Sequence, residues 1–253
     1  MKKITLSLIM SMLVMFAVAQ EKLYLHKTNG EVVEYAVSEV KYIDFGEEAT
    51  DTPDFNGHEY VDLGLPSGTL WATCNVGAET PEGYGDYFAW GETESKTSYN
   101  WSTYKWCDGR GDALTKYCAD AKQGTVDNKT VLELSDDAAR ANWGGDWRIP
   151  TLEEFEELID TDNCTLEWVE LNGISGYQIT SKTNGNSIFL PASGYFEMIA
   201  PSATNDNGYY WINSLNDKSS DMANELDFNV NGIDYNNDYR YYGTTIRPVM
   251  NVK

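Results

Sequence analysis

Asn-Gly pairs occur at six places along the chain, and three of them, Asn29-Gly30, Asn172-Gly173 and Asn184-Gly185, mark predicted hairpin turns. Between strand-like segments, this pair is the strongest short-range signal for a two-residue β-hairpin, because both of its residues accept a positive φ. Further strand-like segments lie at residues 59–63, 70–76, 177–181, 187–190, 209–214, 225–230 and 244–249. The chain is therefore expected to consist mainly of antiparallel strands.

Two short helices are indicated in the middle of the chain. The first has Ser135 as a candidate N-cap and ends at Gly144. The second follows Thr151, and Glu154 completes a Thr-x-x-Glu capping box. Two short helices among antiparallel strands predict an α+β fold.

The first nineteen residues are typical of a secretory signal peptide. Lys2 and Lys3 precede an apolar run over residues 4–18, and Ala17-Val18-Ala19 matches a small-x-small cleavage site. No later apolar run is long enough to cross a bilayer, so no membrane span is expected. We predict an exported protein, located in the periplasm, at the cell surface or outside the cell.

The charge of the chain excludes some partners. The formal net charge is −22, and loss of Lys2 and Lys3 with the signal peptide makes it −24. Binding to nucleic acid needs clustered lysine and arginine, so nucleic acid is not an expected partner. The hydrophobic content of 42% and the aromatic content of 13% indicate a packed core despite this charge.

The cysteine count points to disulfides. An even number of cysteines without a Cys-x-x-Cys pair, in an exported chain, is typical of structural bridges. The residues are Cys74, Cys107, Cys118 and Cys164, which allow three pairings. Cys107–Cys118 would close a short loop that contains glycine and aspartate, and this favours Cys107–Cys118 together with Cys74–Cys164.

Composition divides the mature chain into three parts. Residues 20–48 form a β-hairpin segment around Asn29-Gly30, and residues 49–56 are rich in Glu, Asp and Thr, as in a linker. Residues 57–253 form the main domain. Within it, the stretch up to about residue 134 is rich in Gly, Tyr, Trp and Asn with little periodicity, which predicts large ordered loops.

Five ordered motifs of the main domain carry a family resemblance. They are YVDLGLPSGTLWA from Tyr60, GYGDYFAWGE from Gly83, GDWRIPT from Gly145, YW at Tyr210 and GTTIRPV from Gly243. Over residues 57–250 the chain thereby resembles the Fibrobacter succinogenes major paralogous domain family, found in exported proteins of gut Bacteroidetes. The resemblance implies a C-type-lectin-like fold with no established activity, and fold alone does not select a ligand.

The four tryptophans in these motifs are expected to fill the core, with each indole N–H bonded to the backbone: Trp71, Trp90, Trp147 and Trp211. Arg148 and Arg247, which lie in two of the motifs, are expected to be partly buried and bonded to backbone or to an acid such as Asp146.

Calcium is the one cofactor for which the sequence has motifs to compare. The Glu-Pro-Asn or Gln-Pro-Asp and Trp-Asn-Asp tripeptides of calcium-dependent lectins are absent, and Trp211-Ile212-Asn213 lacks the final Asp. Asp234-x-Asn236-x-Asp238 resembles the start of an EF-hand loop, but Tyr239 and Thr245 replace its Gly and Glu. No cofactor is therefore expected.

Tyr and Asn residues are concentrated between residues 205 and 242. Tyrosine gives rigid contact area and asparagine gives adaptable hydrogen bonds, a mixture also found in antibody binding sites. We interpret this region as ligand-binding loops, although Asn-rich turns also form without a ligand. The candidate contact residues are Tyr209, Asn213, Asp234, Asn236, Asn237 and Tyr239.

The sequence thus favours a non-enzymatic binding protein for a glycan or another surface protein. A structural envelope component, whose N-terminal hairpin adds a strand to a partner sheet, is the alternative. A glycoside hydrolase is the third hypothesis, because the second helix carries several carboxylates: Glu153, Glu154, Glu156 and Glu157.

Overall fold

The computed structural model describes residues 22–26, 30–36 and 54–251. The chain divides into two compact units, residues 1–50 and 51–253. In the first unit, strands β1 (Lys22–His26) and β2 (Val32–Ala36) pair antiparallel, as expected around the Asn-Gly pair. Gly30 lies in the turn with a φ of 87°, which glycine adopts without steric cost. The predicted signal peptide, and the predicted linker up to residue 53, lie outside the described residues.

The second unit is built from antiparallel strands, and the predicted α+β class is confirmed. Its strands are β3 (Asp54–Phe55), β4 (His58–Asp62), β5 (Thr69–Ala72), β6 (Cys164–Leu171), β7 (Ile174–Ser181), β8 (Ser187–Pro191), β9 (Tyr195–Glu197), β10 (Ala200–Ser202), β11 (Asn207–Leu215), β12 (Met222–Asn229), β13 (Gly232–Tyr239) and β14 (Val249–Asn251). They form sheets in the orders β14-β5-β4-β3, β6-β7-β8 and β11-β12-β13, and the ribbon β9-β10. Its α-helices are α1 (Ala138–Trp143) and α2 (Leu152–Ile159), and a short 3-10 helix, Leu134–Asp136, precedes α1.

Helix α2 confirms the predicted capping box. The Thr151 hydroxyl accepts a hydrogen bond from the Glu154 N–H at 3.3 Å, and the Thr151 N–H donates to the Glu154 carboxylate at 2.8 Å. That carboxylate also accepts two bonds from Arg148, at 2.5 and 2.7 Å, and one from the Thr69 hydroxyl at 2.7 Å. The Arg148 guanidinium therefore lowers the pKa of buried Glu154, even though burial alone would raise it. Glu154 links α2 to the first sheet and is not available as a catalytic acid.

Helix α1 begins later than predicted. Asp137, and not Ser135, is its N-cap, and the Asp137 carboxylate accepts from the N–H of Arg140 at 3.0 Å. The same carboxylate accepts from the N–H of Ile149 at 2.8 Å, beyond the helix. Ser135 itself lies within the short 3-10 helix, Leu134–Asp136, and the α-helix begins only after this helix ends. The predicted end at Gly144 is confirmed, where φ is 69°.

Two of the predicted core tryptophans each donate a hydrogen bond to a backbone carbonyl near the other tryptophan. The indole N–H of Trp90 donates to the carbonyl of Ile212 at 2.8 Å, and the indole N–H of Trp211 donates to the carbonyl of Phe88 at 2.7 Å. Both side chains are fully buried. The pair joins the long loop region before α1 to strand β11. Trp147 is also buried and bonded to backbone, as expected.

Trp71 departs from that expectation, since its buried indole N–H has no hydrogen-bond partner in the part of the chain that the structure describes.

The loops predicted before residue 134 are confirmed: residues 73–133 of the structure contain isolated bridges but no strand or helix. No helix among the described residues has the length and apolar character needed to cross a bilayer.

The predicted strand 244–249 is wrong except for its last residue. Thr244 and Thr245 form only isolated bridges, with Phe88 and Tyr210, and regular pairing begins at Val249. Proline has no N–H to donate to a ladder, so Pro248 interrupts a strand at this point. The residue before it, Arg247, is fully buried and directs its guanidinium to backbone carbonyls.

Candidate binding surface

The candidate ligand residues lie on strands, as predicted for Tyr209 and Asn213 in the strand 209–214, whereas the interpretation of the other four as loop residues is wrong. Tyr209 and Asn213 belong to β11, while Asp234, Asn236, Asn237 and Tyr239 belong to β13. Strand β12 lies between these two strands and pairs with both along most of its length. Continuous pairing therefore outweighs the weak strand propensity of asparagine and aspartate in this segment.

The pairing register decides which of these residues share a face. Tyr209 is opposite Asp227 of β12, and Asp227 is opposite Asp234. On the next rung of the same face, Glu225 is opposite Asn236, because side chains alternate along a strand. The structure thus brings Tyr209, Asp234 and Asn236 together around two acids of β12.

The other three candidates are not part of that group. Asn237 follows Asn236 and is directed to the opposite face by the alternation of the strand. Asn213 lies in a register irregularity between Trp211 and Leu215. Tyr239 ends β13, and its ring stacks on the ring of Tyr241 with centroids 5.7 Å apart.

Glu225 is the most unusual residue on this face. Its side chain is only 2% exposed, and its Oε2 atom has no hydrogen-bond partner among the described residues. Burial raises the pKa of the Glu225 carboxyl well above its ordinary value, and the negative charges of Asp238 and Asp227 raise it further. Glu225 therefore holds its proton to a higher pH than an ordinary glutamate does.

The pKa values of the two neighbouring aspartates are also raised. Burial raises the pKa of Asp227, a hydrogen bond from Asn236 opposes this, and the charge of Asp234 adds to it. Burial also raises the pKa of Asp238, against a 2.7 Å bond from the Tyr239 N–H. All three carboxyl groups lie close enough to disfavour each other's ionisation.

A row of partly exposed aromatic rings runs beside these acids. Successive ring centroids lie 5.4 Å apart between Tyr209 and Tyr195, 5.3 Å between Tyr195 and Tyr242, and 4.6 Å between Tyr242 and Tyr241. The row ends at Trp101, 4.8 Å from Tyr241. We call this row, together with Glu197, Glu225, Asp227 and Asp238, the tyrosine–carboxylate surface.

Hydrogen bonds and charges connect the rings to the acids. The Tyr242 hydroxyl donates to the Glu197 carboxylate at 3.2 Å. Burial, then the neighbouring Asp227 carboxylate, raises the pKa of Tyr209 to about 12. These phenols remain neutral donors at physiological pH, and the carboxylates are acceptors, so the surface offers both to a polar ligand.

Arg240 fixes the end of β13, from which the surface extends. It is fully buried, and its Nε donates to the Tyr104 hydroxyl at 2.8 Å. Its Nη1 donates to the carbonyls of Tyr117 and Ser220, both at 2.9 Å, and its Nη2 donates to that of Lys116 at 3.1 Å. The tyrosines on either side of this arginine are therefore attached to a buried residue that makes four hydrogen bonds.

Glu225 and Asp227 were not predicted as part of the site. In β12 they alternate with Leu226 and Phe228, which are buried in the core. That period-two pattern is a signal that one face of the strand is polar. The pattern does not show, however, that Asp238 lies beside these acids, because their proximity depends on the pairing of β12 with β13.

The structure does not form the EF-hand-like loop considered for Asp234, Asn236 and Asp238. These residues lie on an extended strand, where alternate positions are about 7 Å apart, and do not curl around a common centre. Among the described residues, no group of three or more His, Cys, Asp or Glu side chains is placed to hold a metal ion.

The four cysteines are free thiols in the structure, so neither Cys107–Cys118 nor Cys74–Cys164 is bonded there. The Cys107 thiol donates to the carbonyl of Trp101 at 3.1 Å, and the Cys118 thiol donates to that of Asp120 at 3.1 Å. The pairing in an oxidising compartment stays a prediction.

Glu225→Gln is expected to stabilise the protein at neutral and alkaline pH. The pKa of Glu225 is higher in the folded chain than in the unfolded chain. Its contribution to stability is therefore fully present at a pH below the unfolded-state pKa, and it is lost as the pH rises through the folded-state pKa. The amide removes that loss, so we expect a gain of about 1–3 kcal/mol near pH 8 and little change near pH 4. Urea unfolding at both pH values measures it.

Glu167→Gln, at an exposed glutamate of β6, is the control for this substitution and should change stability by less than about 0.5 kcal/mol. A Glu225→Gln variant that is less stable than the parent at both pH values would show that the carboxyl is satisfied in the fold.

Comparison of the chain with models of known protein families, with curated proteins and with solved structures found no match.

Proposed function

We propose that this is an exported, non-enzymatic protein that binds a glycan on the tyrosine–carboxylate surface. The observation that carries the proposal is the continuous row of partly exposed rings from Tyr209 to Trp101, beside carboxylates that form no ion pair with a described residue. Rings of this kind offer flat apolar area to the C–H faces of a sugar, and carboxylates accept hydrogen bonds from its hydroxyls.

The family resemblance supports the same proposal. We propose that residues 57–250 belong to the Fibrobacter succinogenes major paralogous domain family and have a C-type-lectin-like fold. The resemblance implies two helices before a long-loop β region, with the terminal strands of the domain paired. In the structure, helices α1 and α2 precede the sheets that carry the surface, and β14 pairs with β5 near the start of the domain. Another surface protein is the alternative ligand for a binding protein of this class.

The test is binding of the mature chain to a glycan array, with calcium and with a chelator. We expect binding to a subset of glycans that is unchanged by the chelator. Tyr209→Ala and Tyr241→Ala should each weaken it by about tenfold or more, because each removes one ring from the row.

Tyr235→Ala is the matched control. Tyr235 lies on β13 and is 48% exposed, but strand alternation directs it to the face opposite Asp234 and Asn236. Its removal should leave glycan binding unchanged. Absence of binding to every glycan, or equal losses in all three variants, would contradict the proposal.

The structural alternative rests on a separate observation. In the described residues, β1 and β2 pair only with each other, so each has one unpaired edge. A two-stranded hairpin is marginally stable alone, and an open edge accepts a strand from a partner. Deletion of residues 20–48 that abolishes assembly while sparing glycan binding would favour this role for the hairpin.

The hydrolase hypothesis receives little support from the acids of α2, because Glu154 is occupied by Arg148 and the capping box. Glu225 and Asp227 lie side by side on one strand, whereas glycosidases place two carboxylates on opposite sides of the scissile bond.

A further inference from the structure

The acids of the tyrosine–carboxylate surface have no basic partner. Glu225, Asp227 and Asp238 take part in no ion pair within the part of the chain that the structure describes. The titratable groups that face them from the neighbouring strands and from the segment after β13 are also acidic or neutral: Tyr209, Asp234, Glu197 and Tyr242. The local field is therefore negative and uncompensated.

Two oxygens of this cluster lack a donor. Glu225 Oε2 and Asp227 Oδ1 are buried and accept no hydrogen bond from any described residue. A buried oxygen left in this state costs about 1–3 kcal/mol, and more when it is charged. Glu225 and Asp227 are two residues apart on the same face of β12, so one donor bound between them would relieve the cost at both oxygens.

The chemistry of the cluster defines the donor. An ammonium group has three N–H donors, no acceptor and a positive charge, which matches several adjacent carboxyl oxygens. A hydroxyl supplies one donor and no charge. The rings of Tyr209 and Tyr242, at the edge of the acids, add attraction for a cation at their faces.

We propose that the glycan bound here carries a free amino group, and that its ammonium binds at the two oxygens of Glu225 and Asp227 that lack a donor. The ligand class is an unacetylated amino sugar, such as a glucosamine residue within a chain. This inference rests on the proposed glycan binding and specifies its ligand. Binding of the cation favours ionisation of Glu225, so the complex releases a proton.

The experiment compares three trisaccharides that differ only at the 2-position. They are β-1,4-linked trimers of glucosamine, N-acetylglucosamine and glucose, and trilysine is a fourth probe of similar charge. Titration calorimetry on the mature chain near 0.15 M salt, where exposed charges are screened, should show the glucosamine trimer binding at least tenfold more tightly than the other three.

Substitutions of the acids test where the ammonium binds. Asp227→Asn and Glu225→Gln should each weaken binding of the glucosamine trimer by about tenfold, while Glu167→Gln, the exposed control on β6, should leave it unchanged. Repeating the titration in two buffers of different ionisation enthalpy should show proton release with the parent chain, and less with Glu225→Gln. Thermal unfolding confirms that each variant is folded.

The possible failures are distinguishable. Equal affinity for the three sugar trimers, or failure of all three to bind in a chain that binds other glycans of the array, overturns the ammonium inference and leaves glycan binding standing. Failure to bind any glycan of the array overturns both. Trilysine binding as tightly as the glucosamine trimer overturns the amino-sugar class in favour of a cationic peptide. An equal loss in Glu167→Gln would show attraction to net charge only, and would also overturn the inference.

Discussion

Replacing Arg247 by methionine is expected to destabilise the protein by about 3–5 kcal/mol. The Arg247 guanidinium is fully buried and donates to the side chain of Asn75 at 2.9 Å. It also donates to the carbonyls of Ala72 and Thr73, at 3.1 and 3.0 Å, and of Phe189 at 2.9 Å. Methionine fills most of the volume but leaves these four acceptors without a donor.

Urea unfolding of the parent and the variant measures this effect. Arg247→Lys should lose about half as much, because an ammonium cannot supply the planar fork of donors that reaches both β5 and β8. Arg110→Met is the control: the Arg110 side chain is 73% exposed, and its loss should cost less than about 0.5 kcal/mol. A loss below about 1 kcal/mol for Arg247→Met would show that water replaces the guanidinium.

Trp211→Ala is expected to destabilise the protein by about 3–5 kcal/mol, through a cavity and a lost donor. Trp211 is fully buried, and its indole N–H satisfies the carbonyl of Phe88. Trp211→Phe retains much of the volume but not the donor, so it should cost about 2 kcal/mol. Thermal and urea unfolding measure both variants.

Trp168→Ala is the comparison for this second prediction. Trp168 is only partly buried and packs at the margin of a core cluster, so its removal should cost clearly less than that of Trp211. If both substitutions cost the same, the reciprocal bonds of Trp90 and Trp211 contribute nothing beyond the burial of apolar area.

Local signals were sufficient for some elements of the fold. The capping box of α2 was correctly predicted from Thr151 and Glu154, because both of its hydrogen bonds are made within four residues of chain. The turn at Gly30 follows from the backbone freedom of one residue. The core positions of Trp90 and Trp211 also followed from residue type.

Strand β13 was not predicted, although it pairs with β12 across a turn of only two residues. Strand β13 is rich in Asn and Asp, residues that are depleted in strands, and it forms because every one of its residues has a partner on β12. The candidate site was predicted only in part for the same reason. Tyr209, Asp234 and Asn236 meet across three strands, and the acids Glu225 and Asp227 are recognisable only after the register is known.

The pairing of β14 with β5 has a consequence for the kinetics of folding. Val249 is the partner of Trp71, so the first sheet closes only when segments about 180 residues apart meet. Such non-local contacts slow folding, because loop-closure entropy is lost before the contact is made. Until β14 arrives, β5 presents an unpaired edge that can accept the same strand from a second molecule, which makes exchange of this terminal strand the expected route to a domain-swapped dimer.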